Sequence, residues 1–246
     1  MDDKVVKTNI QNAIRSFAEE DLSKSALNLF STLGYNTDRQ NVFPQKTYQY
    51  FKESFIEKNV RFDEEKAWIK EWKQVDLLFQ LSQKEMSDQT GLFDNKKVKW
   101  KGEDKESVIE TYLFFVIELK KENYSRTVLA QITRELNKIF PMPAMILFKH
   151  GEQITLAIIN RRLHKKDERK DVLEKVTLIK NIYIANPHRA HIEILFDLSF
   201  DELYHNYAFS NFVELHNAWQ KTLDIKELNK RFYHELANWY FWPRLS

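Results

Sequence analysis

The chain contains no cysteine, and only 4 glycines and 5 prolines occur in its 246 residues. Without thiols there is no disulfide scaffold, thiolate zinc site or cysteine nucleophile, and the composition fits a reducing cytoplasm. The glycines stand alone at Gly34, Gly91, Gly102 and Gly151. Neither a Walker loop nor a GxGxxG can be assembled from them. Their scarcity, with that of proline, points to long regular elements joined by short turns. An excess of one charge is also lacking. The 38 basic residues nearly cancel the 36 acidic ones, leaving +2, so a nucleic-acid surface would have to be a local patch. Long apolar runs are missing as well. Tyr112 to Ile117 and Ala144 to Phe148 are strand-sized, and Met1-Asp2-Asp3-Lys4 is not a basic start before an apolar stretch. The expectation is a soluble, cytoplasmic protein with no membrane partner.

What is present is globular: 43% hydrophobic residues, of which the aromatics are unusually many at 14% of the chain. The length suits one large domain, or a medium domain with a helical appendage. We divide it into an α/β domain over residues 1–198 and a helical segment over 199–246.

Leu22, Ala26, Leu29, Phe30 and Leu33 form one helical stripe, closed by Gly34 as a left-handed cap. A second helix-prone stretch runs from Gln45 to about Trp72, broken near Asn59 to Asp63. Val75 to Leu81 reads as a strand, and Ser82 to Glu106 as an irregular excursion with a hairpin near Val98 to Lys101. Tyr112 to Lys120 is the strongest strand, apolar enough to be covered on both faces. Ser125 caps a helix to Phe140 that Pro141 and Pro143 stop. Strands follow at Ala144 to Phe148 and Gln153 to Ile159 around a Lys149-His150-Gly151-Glu152 turn, and again at Val176 to Ile184. Phe200 to Trp242 is helical, with caps at Ser199 and Ser210. The fold class is α/β, a mixed sheet flanked by helices and followed by a helical C-terminal segment.

The chemistry centres on Glu118-Leu119-Lys120. Side chains two apart on a strand share a face, so a carboxylate and an ammonium project together from the end of an apolar strand. Such a pair suits metal-assisted phosphodiester hydrolysis, with the carboxylate on Mg²⁺ and the lysine assisting the attacking water. A second acid is needed. Asp76 is the best candidate by element order, with Asp94, Glu103, Asp104 and Glu110 as alternatives. The plain alternative is that the triplet marks a strand meeting solvent.

Helix, strand with Asp76, strand with Glu118 and Lys120, helix, strand: this order resembles the core of the PD-(D/E)xK nucleases, which include restriction endonucleases. The resemblance covers about Phe17 to Phe148. It implies metal binding at Asp76 and Glu118, catalysis by these two with Lys120, and a further acid at Glu20. No proline precedes Asp76, and about forty residues separate it from Glu118. Longer stretches resemble the region preceding the adenine-specific methyltransferase in fused type IIG-like restriction–modification proteins. They include Tyr112 to Lys120, Thr133 to Lys138, Phe140 to Ala144, Leu147 to Gly151, Asn160 to Lys165, Asp171 to Lys180, Pro187 to His191 and Leu228 to Trp242. This resemblance implies a restriction endonuclease acting on double-stranded DNA and a methyltransferase domain downstream. That enzyme's own Pro-Pro-Tyr/Phe motif is absent from this chain.

Arg126, Arg134 and Lys138 on the helix after Glu118, and Arg161 and Arg162 after the hairpin, are the candidate phosphate contacts. A solvated face stitched by neighbouring acids is their plain alternative. His188 and His191 have i, i+3 spacing, but zinc would need further ligands, and capping, core or phosphate-contact roles suit them better. The rings of Trp239, Tyr240, Phe241 and Trp242 cannot all face one side of a helix, which suggests a fragment boundary and an apolar patch covered by a downstream domain or by a second copy in a homodimer.

Overall fold

A computed structural model of the chain describes residues 2–37, 40, 43–56, 62–82, 111–140, 142–163 and 171–224. The proposed hairpin near Val98, the alternative acids Asp94, Glu103, Asp104 and Glu110, and the aromatic run at 239–242 lie outside these residues.

The chain opens with a helix that the sequence reading passes over. α1 spans Asp3–Arg15, capped by the Asp2 side chain on the Lys4 amide, and buries Ile10, Ala13 and Ile14. Its stripe continues to Phe17, also buried. The apolar residues Ile10, Ile14 and Phe17 keep a helical spacing, which the many polar residues between them dilute. α2 (Leu22–Thr32) follows as expected, with Asp21 as its cap. Gly34 takes φ +84°, and a Cβ there would meet Phe200 Cβ at 2.9 Å, so this turn needs glycine. α3 is only Tyr48–Phe55. The second half of the expected helix is instead a turn ending in a short 3₁₀ segment, Ile69–Glu71, and Trp72 already begins a strand. Trp68 sits left-handed at φ 53°, which interrupts helical continuation.

The sheet contains β1 (Trp72–Ser82), β2 (Thr111–Leu119), β3 (Ala144–His150), β4 (Gln153–Leu163) and β5 (Asp171–Tyr183), side by side in that order. β1 is antiparallel to β2, β2 parallel to β3, and β3, β4 and β5 successively antiparallel. The parallel step is bridged by α4 (Arg126–Ile139), whose cap Ser125 accepts from the Val128 amide. One rung, Trp72–Leu119–His150–Gln153–Tyr183, crosses all five strands at one end of the sheet. Charge-dense residues up to 163 and from 171 extend β4 and β5 as a long antiparallel pair.

Each face of the sheet carries its own core. Tyr112, Phe114, Val116, Met145 and Leu147 face α1, α2 and the C-terminal helices. Leu113, Phe115, Ile117, Ile146 and Phe148 face α3 and α4. The strict alternation along β2 is why its run is apolar throughout. α5 (Arg189–Asp197), α6 (Phe200–Tyr207) and a helix over 212–224, here α7, complete the first core. Phe200, Phe212, Trp219 and Leu223 are buried in that same core. As far as residue 224, the segment proposed to begin at 199 is therefore part of the α/β unit. His188 caps α5, accepting from the Ala190 amide. Before α7 the capping acceptor is Asn211, whose side chain takes the Glu214 amide, rather than the expected Ser210. No helix among the described residues is long and apolar enough to cross a membrane.

Candidate active site

Asp76 and Glu118 occupy one face of the β1–β2 ladder. Asp76 lies opposite Val116 and Gln74 opposite Glu118, so the two acids are diagonal neighbours on successive same-face rungs. Side chains so related sit roughly 7–8 Å apart at the backbone, within mutual reach of long side chains. Two bulges in the pairing, at Trp72/Gln74 and Leu77/Phe79, flank this stretch of β1. They put Asp76 on the α2 face between Val75 and Leu77, which face the other core.

The surroundings of the two acids differ. Asp76 is 1% exposed. Its Oδ2 accepts from Ser23 Oγ at 2.5 Å, and its Oδ1 from the Phe43 amide at 3.0 Å. Burial pushes its carboxyl above the ordinary value, against the pull of these donors. Glu118 is half-buried at the sheet end. Its Oε1 meets Lys73 Nζ at 2.9 Å and Lys149 Nζ at 3.5 Å, and its Oε2 accepts from Gln74 at 2.8 Å. Burial acts to raise this carboxyl as well, but Lys73 and Lys149 outweigh it and hold the group below the usual range. Nearby, the Asp21 side chain pairs with Lys46 at 3.0 Å, which lowers its carboxyl. Lys46 and Asp21 both act electrostatically on Asp76.

Lys120 is placed differently from the expectation. Its Nζ donates to the Lys70 carbonyl at 2.6 Å, and its amide to the Glu71 carbonyl at 2.9 Å, which ties it to the turn before β1. The ammoniums at Glu118 belong to Lys73 and Lys149. Sequence reasoning missed both, together with Ser23 and Gln74. Lys149 could be found only from the parallel register that sets it beside Glu118. Lys73 and Gln74 carried a weaker signal, since they precede the strand expected at Val75. Glu20 is exposed on the turn before α2.

The basic residues separate into distinct roles. Arg161, expected as a phosphate contact, is 4% exposed. Its guanidinium donates to the Asn137 carbonyl and, at 2.9 Å, to that of Phe140, so it closes the C-terminus of α4. That is a structural role, and a surface phosphate role for Arg161 is corrected. Arg134 donates to the Leu173 carbonyl of β5 at 3.1 Å, and Lys138 pairs with Glu135 at 2.5 Å. Arg126 is exposed at the start of α4. Arg162 pairs through its backbone with Val172 in the β4–β5 ladder.

Mg²⁺ takes oxygen ligands, often one or two carboxylates with the remaining positions filled by water. Asp76 and Glu118 match that donor set in kind and number. Each of their oxygens accepts from one or two protein donors and has lone-pair capacity for two. The Lys73 side chain is 63% exposed, so releasing its hold on Glu118 costs little. The pair fits a single hard cation in the chemistry of its donors, and binding would require Asp76, 1% exposed, to share the oxygens now held by Ser23 and the Phe43 amide. Against protein-family models, curated proteins and solved structures, the chain shows no match.

Proposed function

We propose that this chain is the Mg²⁺-dependent endonuclease domain of a fused restriction–modification protein, hydrolysing phosphodiester bonds in double-stranded DNA. The observation that carries the reading is the placement of Asp76 and Glu118 on adjacent same-face rungs of an antiparallel pair, followed by the α4 crossover to parallel β3. This is the arrangement that the PD-(D/E)xK resemblance implies, and the reading takes the sheet to be restriction-endonuclease-like. Asp76 and Glu118 would hold the metal. When bound, Mg²⁺ supplies Lewis-acid stabilisation of the phosphate and a more acidic water.

The chain's own groups have separable tasks. Ser23 and the Phe43 amide orient Asp76, and Gln74 orients Glu118. Lys149, held beside Glu118 by the β2–β3 register, would place an ammonium near the attacking water. Lys120 would share that work on leaving the Lys70 carbonyl. The partners implied are double-stranded DNA and a methyltransferase domain downstream in the same protein.

A second reading has its own observation. Asp76 is nearly inaccessible and hydrogen-bonded through both oxygens, as a purely structural carboxyl would be. On that reading the domain binds DNA or supports the methyltransferase without cutting. Plasmid cleavage in Mg²⁺, with Mn²⁺ binding measured by electron paramagnetic resonance, separates the two. Catalysis requires cleavage by the wild type and its loss in Glu118→Ala with the fold intact. Cleavage unchanged by Glu118→Ala rejects the assignment. A folded chain that neither cuts nor binds Mn²⁺ favours the scaffold.

A further inference from the structure

At the same end of the sheet, but on the α4 face, lies a second polar surface that the proposed chemistry does not use. β5 carries a bulge there: the two steps of β4 from Ile154 to Leu156 are matched by three steps of β5, from Ile182 to Ile179. Asn181 occupies the bulge at φ 64°. Bulges re-aim side chains, and this one lies where Lys180 and Tyr183 line an open cleft of about 760 Å³ with Arg126, His188 and Arg189. Among the described residues no carboxylate lines the cleft.

The chemistry is that of an anion site. Arg126 and Lys180 form no ion pair among the described residues. Arg189 is 90% exposed, and its ion partner among the described residues is Glu193, at 3.5 Å. His188 Nδ1 accepts from the Ala190 amide at 3.1 Å, so the neutral ring carries its proton on Nε2, away from that bond, as a donor. Tyr183 is 52% exposed, one of few large hydrophobic side chains so displayed among the described residues. Cations, a ring N–H donor and an uncovered ring match a phosphate bearing an aromatic base.

We propose that this cleft binds the sugar–phosphate backbone of nucleic acid, with Tyr183 beside the strand. An enclosed small-phosphate site would bury its ligand. Here the cations are exposed in an open cleft, as suits a polymer passing across. Glu118 lies on β2 and Tyr183 on β5, three strand spacings apart at the backbone, or roughly 14 Å at ~4.8 Å per step, on opposite faces of the same sheet end. One duplex laid across the sheet end would reach both. The proposal rests on the DNA-directed reading above, but not on cleavage.

Its test is equilibrium binding of a fluorescent duplex by anisotropy, without divalent metal, over a range of salt. Arg126→Ala, Lys180→Ala and Arg189→Ala should each reduce the slope of log K against log salt by roughly 0.9, and the triple variant by roughly 2–3. Lys4→Ala, on α1, should leave the slope alone, and circular dichroism would confirm each fold. Inorganic phosphate should compete only weakly. An unchanged slope in the triple variant overturns the proposal, as does a wild type that binds no DNA. Tight binding of inorganic phosphate alone, with the DNA slope unchanged, would identify a small-anion site and also overturn it. Loss of slope beside absent cleavage would retain the cleft and reject the nuclease.

Discussion

Replacing Asp76 by Asn and by Ala separates a carboxyl kept for the fold from one kept for function. The carboxyl is 1% exposed, and two buried donors depend on it: Ser23 Oγ and the Phe43 amide. Asp76→Ala strands both. At about 1–3 kcal/mol for each unsatisfied buried group, the loss is about 2–6 kcal/mol, a large share of the roughly 5–15 kcal/mol that holds a domain together. For a chain of this size that corresponds to a melting temperature lower by roughly 5–20 °C. Asp76→Asn differs in kind. Its carbonyl still accepts from the Phe43 amide, and its NH₂ can donate to Ser23 Oγ, while no charge needs desolvating. It should melt at or above the wild type at pH 7.

The pH dependence carries the sign. The folded-state pKa of Asp76 is raised by burial, so the native chain holds this proton more tightly than the unfolded chain. Its contribution to stability is complete below the unfolded carboxyl value and is lost as pH rises through the folded one. The advantage of Asp76→Asn over the wild type should therefore grow with pH across that window. Added Mg²⁺ should raise the wild-type melting temperature but not that of Asp76→Asn, because a ligand stabilises only the state that binds it. Thermal melts followed by circular dichroism from pH 4 to 8, with and without Mg²⁺, give all these comparisons. Asp76→Asn melting as low as Asp76→Ala would refute the reasoning, since the charge itself would then be holding the fold.

Other perturbations test the frame around the site. Arg161→Met removes the donor that closes α4 at Asn137 and Phe140, and should cost about 2–4 kcal/mol by urea unfolding without a change in DNA affinity. His216 is buried between Tyr112 and Asn160, and its pKa is lowered to about 4, mainly by burial. The unfolded ring takes up a proton first, so stability should fall by about 3 kcal/mol as pH drops from 6.5 toward 4, and His216→Phe should flatten that decline. Gly34→Ala forces a Cβ against Phe200 at a left-handed position and should lower the melting temperature, with the circular dichroism spectrum at 25 °C unchanged.

Local patterns were legible in the sequence wherever one element's own period or cap set them. The α2 stripe ending at Gly34, the Ser125 cap of α4, the apolar run of β2 and the turn at Gly151 are all of this kind. Glu118 could be singled out because it ends the strongest strand, and Asp76 because element order pointed to it. That both lie on one face follows from the β1–β2 register, which two bulges adjust and the sequence does not display. The parallel register of β2 with β3 brings Lys149 to Glu118, while a bond to the carbonyl of Lys70, 50 residues earlier in the chain, holds Lys120. Arg161 reads as surface charge in a basic stretch, yet the end of α4 needs a donor where β4 passes beneath it. Periodicity and capping are properties of a few neighbouring residues, so the sequence alone determines them. Which charges meet, and which are consumed by backbone groups, depends on pairings between residues far apart in the chain, and only the tertiary structure decides those.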